Sequence, residues 1–253
     1  MKIAVLVKSV PDTAGTPEIG PDGRSVVTEH LETVLNPYDE IAVEEAVRMK
    51  EALGAEVVAV GLGDEAARKA LRTAFAMGAD AAVLARRPEE EPLTGKGAAL
   101  CLAPVLRELR PDLILAGKQA VDDDGAQVAE RVAEMLGYLH ASAVTRLAKD
   151  GAQLVVDREI EGGALSMEFP LPAVLTVEKG LNTPRYPTLP QILKAKRREI
   201  REVAVDGEGV RPGWRVDVLS LPDTQRRRQI FQGTVTEQVD NLLREARPLG
   251  GLS

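Results

Sequence analysis

Aromatic residues make up only 3% of the chain, and it has two histidines and one cysteine. Each scarcity removes a class of function. So few aromatics leave no stacking platform for single-stranded nucleic acid. A lone cysteine cannot form an internal disulfide. Cys101 sits between Ala98-Ala99-Leu100 and Leu102-Ala103, and it reads as a small buried hydrophobe on a helix. His30 and His140 stand in no recognisable pairing, so a zinc site lacks ligands, and Gly-x-Ser-x-Gly is absent. No run of 18 apolar residues occurs, so the sequence predicts no membrane insertion. The opening Met1-Lys2-Ile3-Ala4-Val5-Leu6-Val7 stops at Lys8, too short for a signal segment, and reads as the first strand of a cytoplasmic protein. A net charge of −7 argues against nucleic-acid binding as the main business. Basic residues do cluster at Lys194-Ala195-Lys196-Arg197-Arg198 and Arg226-Arg227-Arg228, where solvated helix faces account for them.

What is present is core material, 44% hydrophobic over 253 residues, enough for one large domain with a substantial tail. Strand and helix patterns alternate through the first 120 residues. Lys2–Val10 is a continuous aliphatic run, as expected of a strand covered on both faces. A small hairpin is expected to end at Ser25–Thr28. Asn36-Pro37 opens a helix: Asn caps, Pro suits the first position, and Asp39, Glu40, Glu44 and Glu45 suit the positive end. Gly54 closes it. Strands follow at Glu56–Val60, Ala81–Ala85 and Leu113–Ala116, and helices at Asp64–Met77, Thr94–Leu109 and Gly125–Leu136. This order predicts an α/β fold, a doubly wound and mainly parallel sheet with helices on both faces. Near residue 140 the pattern changes to short antiparallel strands, Ser142–Leu147, Gln153–Ile160 and Ala164–Phe169, before a buried strand at Ala173–Val177. We divide the chain into a nucleotide-binding part, 1–180, and a tail, 181–253. The tail holds a basic helix at Thr188–Arg198 and another at Thr236–Arg244, and it is expected to lean on a partner.

Three loops follow strand ends, where open parallel sheets bind ligands: Val7-Lys8-Ser9-Val10-Pro11, Gly61–Ala66 and Gly117–Gly125. The Gly61-Leu62-Gly63-Asp64-Glu65-Ala66 loop fits a dinucleotide fingerprint, with Asp80 downstream. It follows the second strand, and Asp64-Glu65 would face a pyrophosphate, so a tight turn is the simpler reading. Nucleotide contact of another style stays open. The Gly117–Gly125 loop says more. It leads into a helix whose first amides, around Gly125-Ala126-Gln127, are expected to be unpaired and to suit a phosphate. Asp122, Asp123 and Asp124 could cap that helix, hold Lys118 or Arg131, or bind a hard cation.

Several motifs in order carry a resemblance: Val7-Lys8-x-Val10-Pro11; Asn36-Pro37-x-Asp39-Glu40-Ile41-Ala42-x-Glu44-Glu45-Ala46; Ala76-Met77-Gly78-Ala79-Asp80; Gly117-Lys118-Gln119-Ala120-Val121-Asp122-Asp123-Asp124; Asp157-Arg158-Glu159-Ile160-Glu161-Gly162-Gly163; Leu171-Pro172-Ala173-Val174; and Asn182-x-Pro184-Arg185-Tyr186-x-Thr188-Leu189-Pro190-x-Ile192-x-Lys194-Ala195-Lys196. Together they resemble the beta subunits of electron-transfer flavoproteins from residue 2 to about residue 200. The resemblance implies an adenine-nucleotide-binding sheet with no covalent catalysis of its own. It implies an alpha subunit that holds most of the FAD, and one structural AMP in this subunit. Electrons would arrive from acyl-CoA and related flavin dehydrogenases and leave to a quinone oxidoreductase. Carried over by position, the AMP pocket falls on Leu6, Asn36, Pro37, Tyr38, Asp39, Leu62, Gln119, Ala120, Val121, Asp122, Asp123, Asp124, Gly125, Ala126, Gln127, Val128, Ala129 and Glu130. Leu189, Pro190 and Ile192 fall on the segment that docks dehydrogenases, with Leu189 as anchor. The triple aspartate follows the AMP-type pattern, whereas members with a second, bifurcating FAD carry Asp-Gly-Asp-Thr there. Thr13 stands where some members place a tyrosine near the flavin. Two other readings remain at this point: a stand-alone nucleotide-binding module, and a pyridine-nucleotide dehydrogenase domain using the Gly61 loop.

Overall fold

A computed structural model describes residues 1–28, 30–87, 93–151, 153–205, 215–222 and 228–247. Arg226 and Arg227 lie outside the described residues. Met1–Asp217 form one compact unit and Val218–Ser253 a second. The sequence division at residue 180 was one of character, between a nucleotide-binding part and a docking part; compactness divides later.

The elements of the first unit run in the order β1 (Lys2–Val7), β2 (Ser9–Pro11), β3 (Glu18–Ile19), β4 (Val26–Val27), β5 (Thr33–Leu35), α1 (Pro37–Leu53), β6 (Glu56–Gly63), α2 (Glu65–Met77), β7 (Ala81–Arg86), α3 (Gly95–Leu109), β8 (Leu113–Gly117), α4 (Val128–Leu136), β9 (Leu139–Asp150), β10 (Gln153–Ile160), β11 (Gly163–Pro170), β12 (Ala173–Val177), α5 (Leu189–Lys196) and β13 (Arg201–Ala204). Nine strands form one sheet in the order β11-β10-β9-β12-β8-β1-β6-β7-β13. From β9 to β13 neighbours are parallel; β10 and β11 add antiparallel strands at one edge. The sheet is thus mainly parallel, as the alternation predicted.

Strand β1 shows how one sequence feeds two cores. Its side chains alternate between faces. Ile3, Val5 and Val7 join one buried cluster with α1 and α2 residues such as Val43, Val47, Leu71 and Phe75. Ala4 and Leu6 join the other, with Leu102 and Leu106 of α3 and Val132 of α4. A strand covered on both faces has no polar side to show, which is why it reads as an unbroken aliphatic run.

The connections place the site. From β1 the chain moves outward through β6 to β7, then returns by α3 to β8 on the opposite flank of β1. The winding therefore reverses between β1 and β8. At such a switch point the loops leaving adjacent strands diverge and a crevice opens beyond their C-terminal ends.

Three local expectations need correction. The aliphatic run at Lys2–Val10 is not one strand. It breaks at Lys8, and β2 turns away to pair with β5 in a separate two-stranded sheet. Helix α4 starts at Val128, not Gly125, because Asp124 (φ 47°) and Ala126 (φ 44°) sit in the left-handed region and hold the chain out of the helix. The tail from residue 181, read as holding two helices, also adds a strand to the sheet: β13 pairs with β7. Its sequence, Arg-Glu-Val-Ala, is half charged and exposed at the sheet edge, so no hydrophobic run announced it. In the second unit, α6 (Val235–Ala246) is opened by Thr234 with a capping box to Glu237. No described residue of that unit is buried.

Gly117 ends β8 where α1 packs closest. A Cβ there would lie 2.5 Å from Asp39 Oδ1 and 2.5 Å from Tyr38 Cβ. Gly117→Ala is expected to cost about 1–3 kcal/mol by forcing α1 from β8, read by urea unfolding. An unchanged transition would show that this contact is not fixed.

Candidate functional site

Helix α1 begins with two side chains that do not serve their own helix. Asn36, at the N-cap, makes no side-chain capping bond. Its Nδ2 donates to Gln119 O (2.9 Å), and its Oδ1 accepts from Val121 N (3.2 Å). Asp39 accepts from Lys8 N through Oδ2 (2.8 Å) and from Gly117 N through Oδ1 (3.0 Å). Both residues are buried. The start of α1 thus ties together the ends of β1 and β8, the two strands at the switch point. Burial pushes the Asp39 carboxyl up to about 7, while the Lys8 and Gly117 amides and Asn36 pull it back.

Beyond these strand ends lies a cleft of about 600 Å³. Of the predicted residues, Leu6, Asn36, Asp39, Leu62, Gln119, Ala120, Asp123, Gly125, Ala126, Gln127, Val128, Ala129 and Glu130 line it. Pro37, Tyr38, Val121, Asp122 and Asp124 do not. Val121 belongs to the tie through its amide, Tyr38 packs against Gly117, and Asp122 and Asp124 bond Lys8 and Gln119. The cleft also takes Lys8, Gly63 and Asp64 from the other two strand-end loops, and Arg86, Arg87, Thr94 and Gly95, which the sequence reading did not assign. Their signal was positional. Gly63 and Arg86 end β6 and β7, and Thr94 caps α3 at the same edge, its Oγ accepting from Gly97 N (3.1 Å).

The aspartates do none of the capping expected of them. Asp122 Oδ1 and Asp123 Oδ2 accept from Lys8 Nζ at 2.8 and 3.2 Å. Asp123 Oδ1 also takes the Gly125 amide (3.0 Å), so that amide is not open as expected. Asp124 accepts from Gln119 Nε2 (2.6 Å). Lys118 pairs with Glu178 (2.5 Å), which raises its pKa, and Arg131 reaches Gln127 Oε1 (3.0 Å). No group of three or more potential ligands is placed for a metal ion among the described residues.

Two features of the cleft ask for a ligand. Gln127, at the N-cap of α4, makes no side-chain capping bond, so the first amides of α4 keep their donors, with Glu130 the acidic residue of the first turn. Glu130 Oε1 accepts from Ser142 Oγ (2.8 Å), and its Oε2 is buried without a hydrogen-bond partner among the described residues. Across the cleft, Leu6, Val60, Leu62 and Leu102 form an apolar wall. Donors for an anion, an acceptor for a hydroxyl and an apolar wall are the parts a nucleotide needs.

Residues 24–208 match the electron transfer flavoprotein domain. The chain is 37% identical over 253 residues to the electron transfer flavoprotein subunit beta of Homo sapiens, covering 99% of this chain and 98% of that one. It is 39% identical over 249 residues to the subunit beta of Bradyrhizobium diazoefficiens, covering 97% and 99%. Against a protein of Oryza sativa subsp. indica named electron transfer flavoprotein subunit beta, mitochondrial, it is 37% identical over 253 residues, covering 98% and 100%. The chain belongs to the electron transfer flavoprotein beta-subunit family. The family gives it a part in flavin-based electron transfer beside an alpha subunit. Among the described residues no helix is long and apolar enough to cross a membrane.

The segment from Asn182 to Ile192 has its own support. Arg185 pairs with Glu44 (2.8 Å) and Glu51 (2.6 Å) of α1, and Asn182 Nδ2 donates to Ile41 O and Glu45 Oε2. Thr188 opens α5 with its amide donating to Gln191 Oε1 (2.7 Å). Leu189, Pro190 and Ile192 are all exposed.

Two outcomes test the tie. Asn36→Ala should cost about 1–3 kcal/mol, since it strands the Gln119 carbonyl and the Val121 amide; urea unfolding reads it. For Asp39, the folded pKa lies above the free value of 3.8. The folded chain then binds the proton more tightly than the unfolded one. Its contribution is full below the free value and declines as pH rises through the folded one. The unfolding free energy of the parent minus that of Asp39→Asn should therefore fall between about pH 4 and 7 and level off above. A difference that rises over this window would mean that the amides, not burial, set the charge.

Proposed function

We propose that this chain is the beta subunit of a heterodimeric electron carrier whose FAD is held mainly by the alpha subunit, with one AMP as a structural ligand in the cleft. Electrons come from acyl-CoA and other flavin dehydrogenases and pass to a quinone oxidoreductase. The flavin supplies the redox chemistry. This chain's own residues bind, orient and dock.

The observation that carries the AMP assignment is the open N-terminus of α4 at the switch-point cleft, facing an apolar wall. The amides from Gln127 onward would hold the phosphate. Leu6, Leu62 and Leu102 would cover the base, and Glu130 Oε2 would accept from a ribose hydroxyl. The aspartates do not oppose this, because Asp122 and Asp123 are turned to Lys8. Leu189 serves as the dehydrogenase anchor, with Pro190 and Ile192 beside it. The tail from residue 181, including α6 with Val235, Val239 and Leu242 exposed, packs on the alpha subunit.

Gln127→Asp separates ligand from fold. A carboxylate at that N-cap supplies the missing cap, worth about 0.5–2 kcal/mol, and repels a phosphate. The variant complex should lose AMP, measured by chromatography of the released nucleotide, while the ligand-free chain is no less stable. Undiminished AMP would remove α4 from the site. Native mass spectrometry of the parent complex should show an alpha–beta pair with one FAD and one AMP. Two FAD would replace AMP by a bifurcating flavin, and a homodimer without flavin would leave only a nucleotide-binding module.

A further inference from the structure

Helix α5 is an unusual element to find ordered. Of its eight residues only Ala195 is buried. Tyr186 before it is 96% exposed and Leu189 68% exposed. An isolated helix this short is unstable in water, and one buried alanine contributes little. Polar bonds at both ends hold it instead. Behind its C-terminus, Arg72 donates to Ala195 O (2.7 Å) and to Arg198 O. Arg198 lies over the Phe75 ring, 4.4 Å from its centroid, and donates to Ala79 O (3.1 Å). Ahead of its N-terminus stands Arg185, one residue from Tyr186 and four from Leu189. Its guanidinium forms four bonds, two to Glu44 and two to Glu51. The Arg185 amide adds a fifth, to Glu44 Oε2 (3.1 Å). Side chain and main chain are thus fixed together on α1.

We propose that Arg185, held by Glu44 and Glu51, is a positioning residue for electron transfer: it pre-orders the segment that presents Tyr186 and Leu189 to the dehydrogenase. This rests on the docking role given to Leu189 above. The physical reason is that ordering a loop on binding costs affinity, and a loop already ordered does not bear that cost. Guanidinium suits the task because its planar fork meets two carboxylates at fixed angles. Glu44 contributes burial, its side chain 4% exposed, and Glu51 is the outer, half-exposed partner.

The test uses the assembled flavin-loaded complex as electron acceptor for an acyl-CoA dehydrogenase. Arg185→Ala leaves Glu44 buried with only Arg48 (3.2 Å) as partner and could unfold the chain. Glu51→Gln is the informative variant, since it weakens the clamp from its exposed side. It should raise the KM for the complex about fivefold to tenfold with kcat and the flavin spectrum unchanged. Hydrogen exchange in residues 183–193 should quicken with it. In the Glu51→Gln background, Leu189→Ala should cost less than it does in the parent, because the anchor is already misplaced. An unchanged KM for Glu51→Gln, or full additivity with Leu189→Ala, overturns the clamp while leaving the docking role intact. A silent Leu189→Ala in the parent overturns the docking role, and the clamp's purpose with it.

Discussion

The structure hangs on one buried tie, in which Asn36 and Asp39 at the start of α1 hold the ends of β1 and β8. Two strands that diverge at a switch point leave unpaired backbone groups where their loops part. Buried amides and carbonyls without partners would each cost about 1–3 kcal/mol. Asn36 and Asp39 satisfy the Lys8, Gly117 and Val121 amides and the Gln119 carbonyl from a single helical turn. Asparagine is needed because it both donates and accepts; aspartate is needed because it accepts twice. Gly117 follows from the same contact, since no side chain fits between β8 and Asp39. The cleft is what remains open once the strand ends have been fixed apart.

This explains why the Asn-Pro-x-Asp motif told only part of its role from sequence. Its residue types fit a helix start, and a helix does start there. Caps act within four residues, so local reasoning finds them. Asn36 instead bonds residues more than 80 positions away, and only tertiary structure shows such a partner. The triple aspartate misled in the same direction. Local chemistry assigns it to the helix that follows, whereas two of its carboxylates answer Lys8, more than a hundred positions earlier. Strands β6 to β8 and helices α1 to α3 were legible because they are long and periodic. Strand β13 was not, because an edge strand with charged residues carries no burial signal. The cleft-lining Arg86 and Thr94 were missed because ligand edges are a property of sheet order, which sequence states only indirectly.

Helix α1 carries further buried carboxylates, Glu44 and Glu45, on a face that periodicity alone would assign to apolar residues. They are tolerated because each has a long-range partner: Arg185 for Glu44, Asn182 for Glu45. Burial raises the Glu45 pKa, with the Asn182 bond opposing it. Such arrangements are weak sources of stability, since desolvation offsets most of the attraction. Their value is geometric. An apolar contact would bury the 182–185 segment as well, but it would let the segment slide; directional bonds fix its register on α1.

The same logic separates the two ends of α1. The N-terminal turn fixes the cleft, and the second and fourth turns fix the segment leading to Leu189. The cleft and the 182–185 segment are therefore built on one rigid rod of 17 residues, about 25 Å long at 1.5 Å per residue. A ligand that braces the β1–β8 junction braces the helix from which the 182–185 segment hangs. On the proposed function, a nucleotide that takes no part in electron transfer has a physical reason to be there: it would stiffen the end of the rod that the core leaves open. A structural ligand and a mobile redox partner then need no communication beyond shared rigidity, because α1 has one place to be.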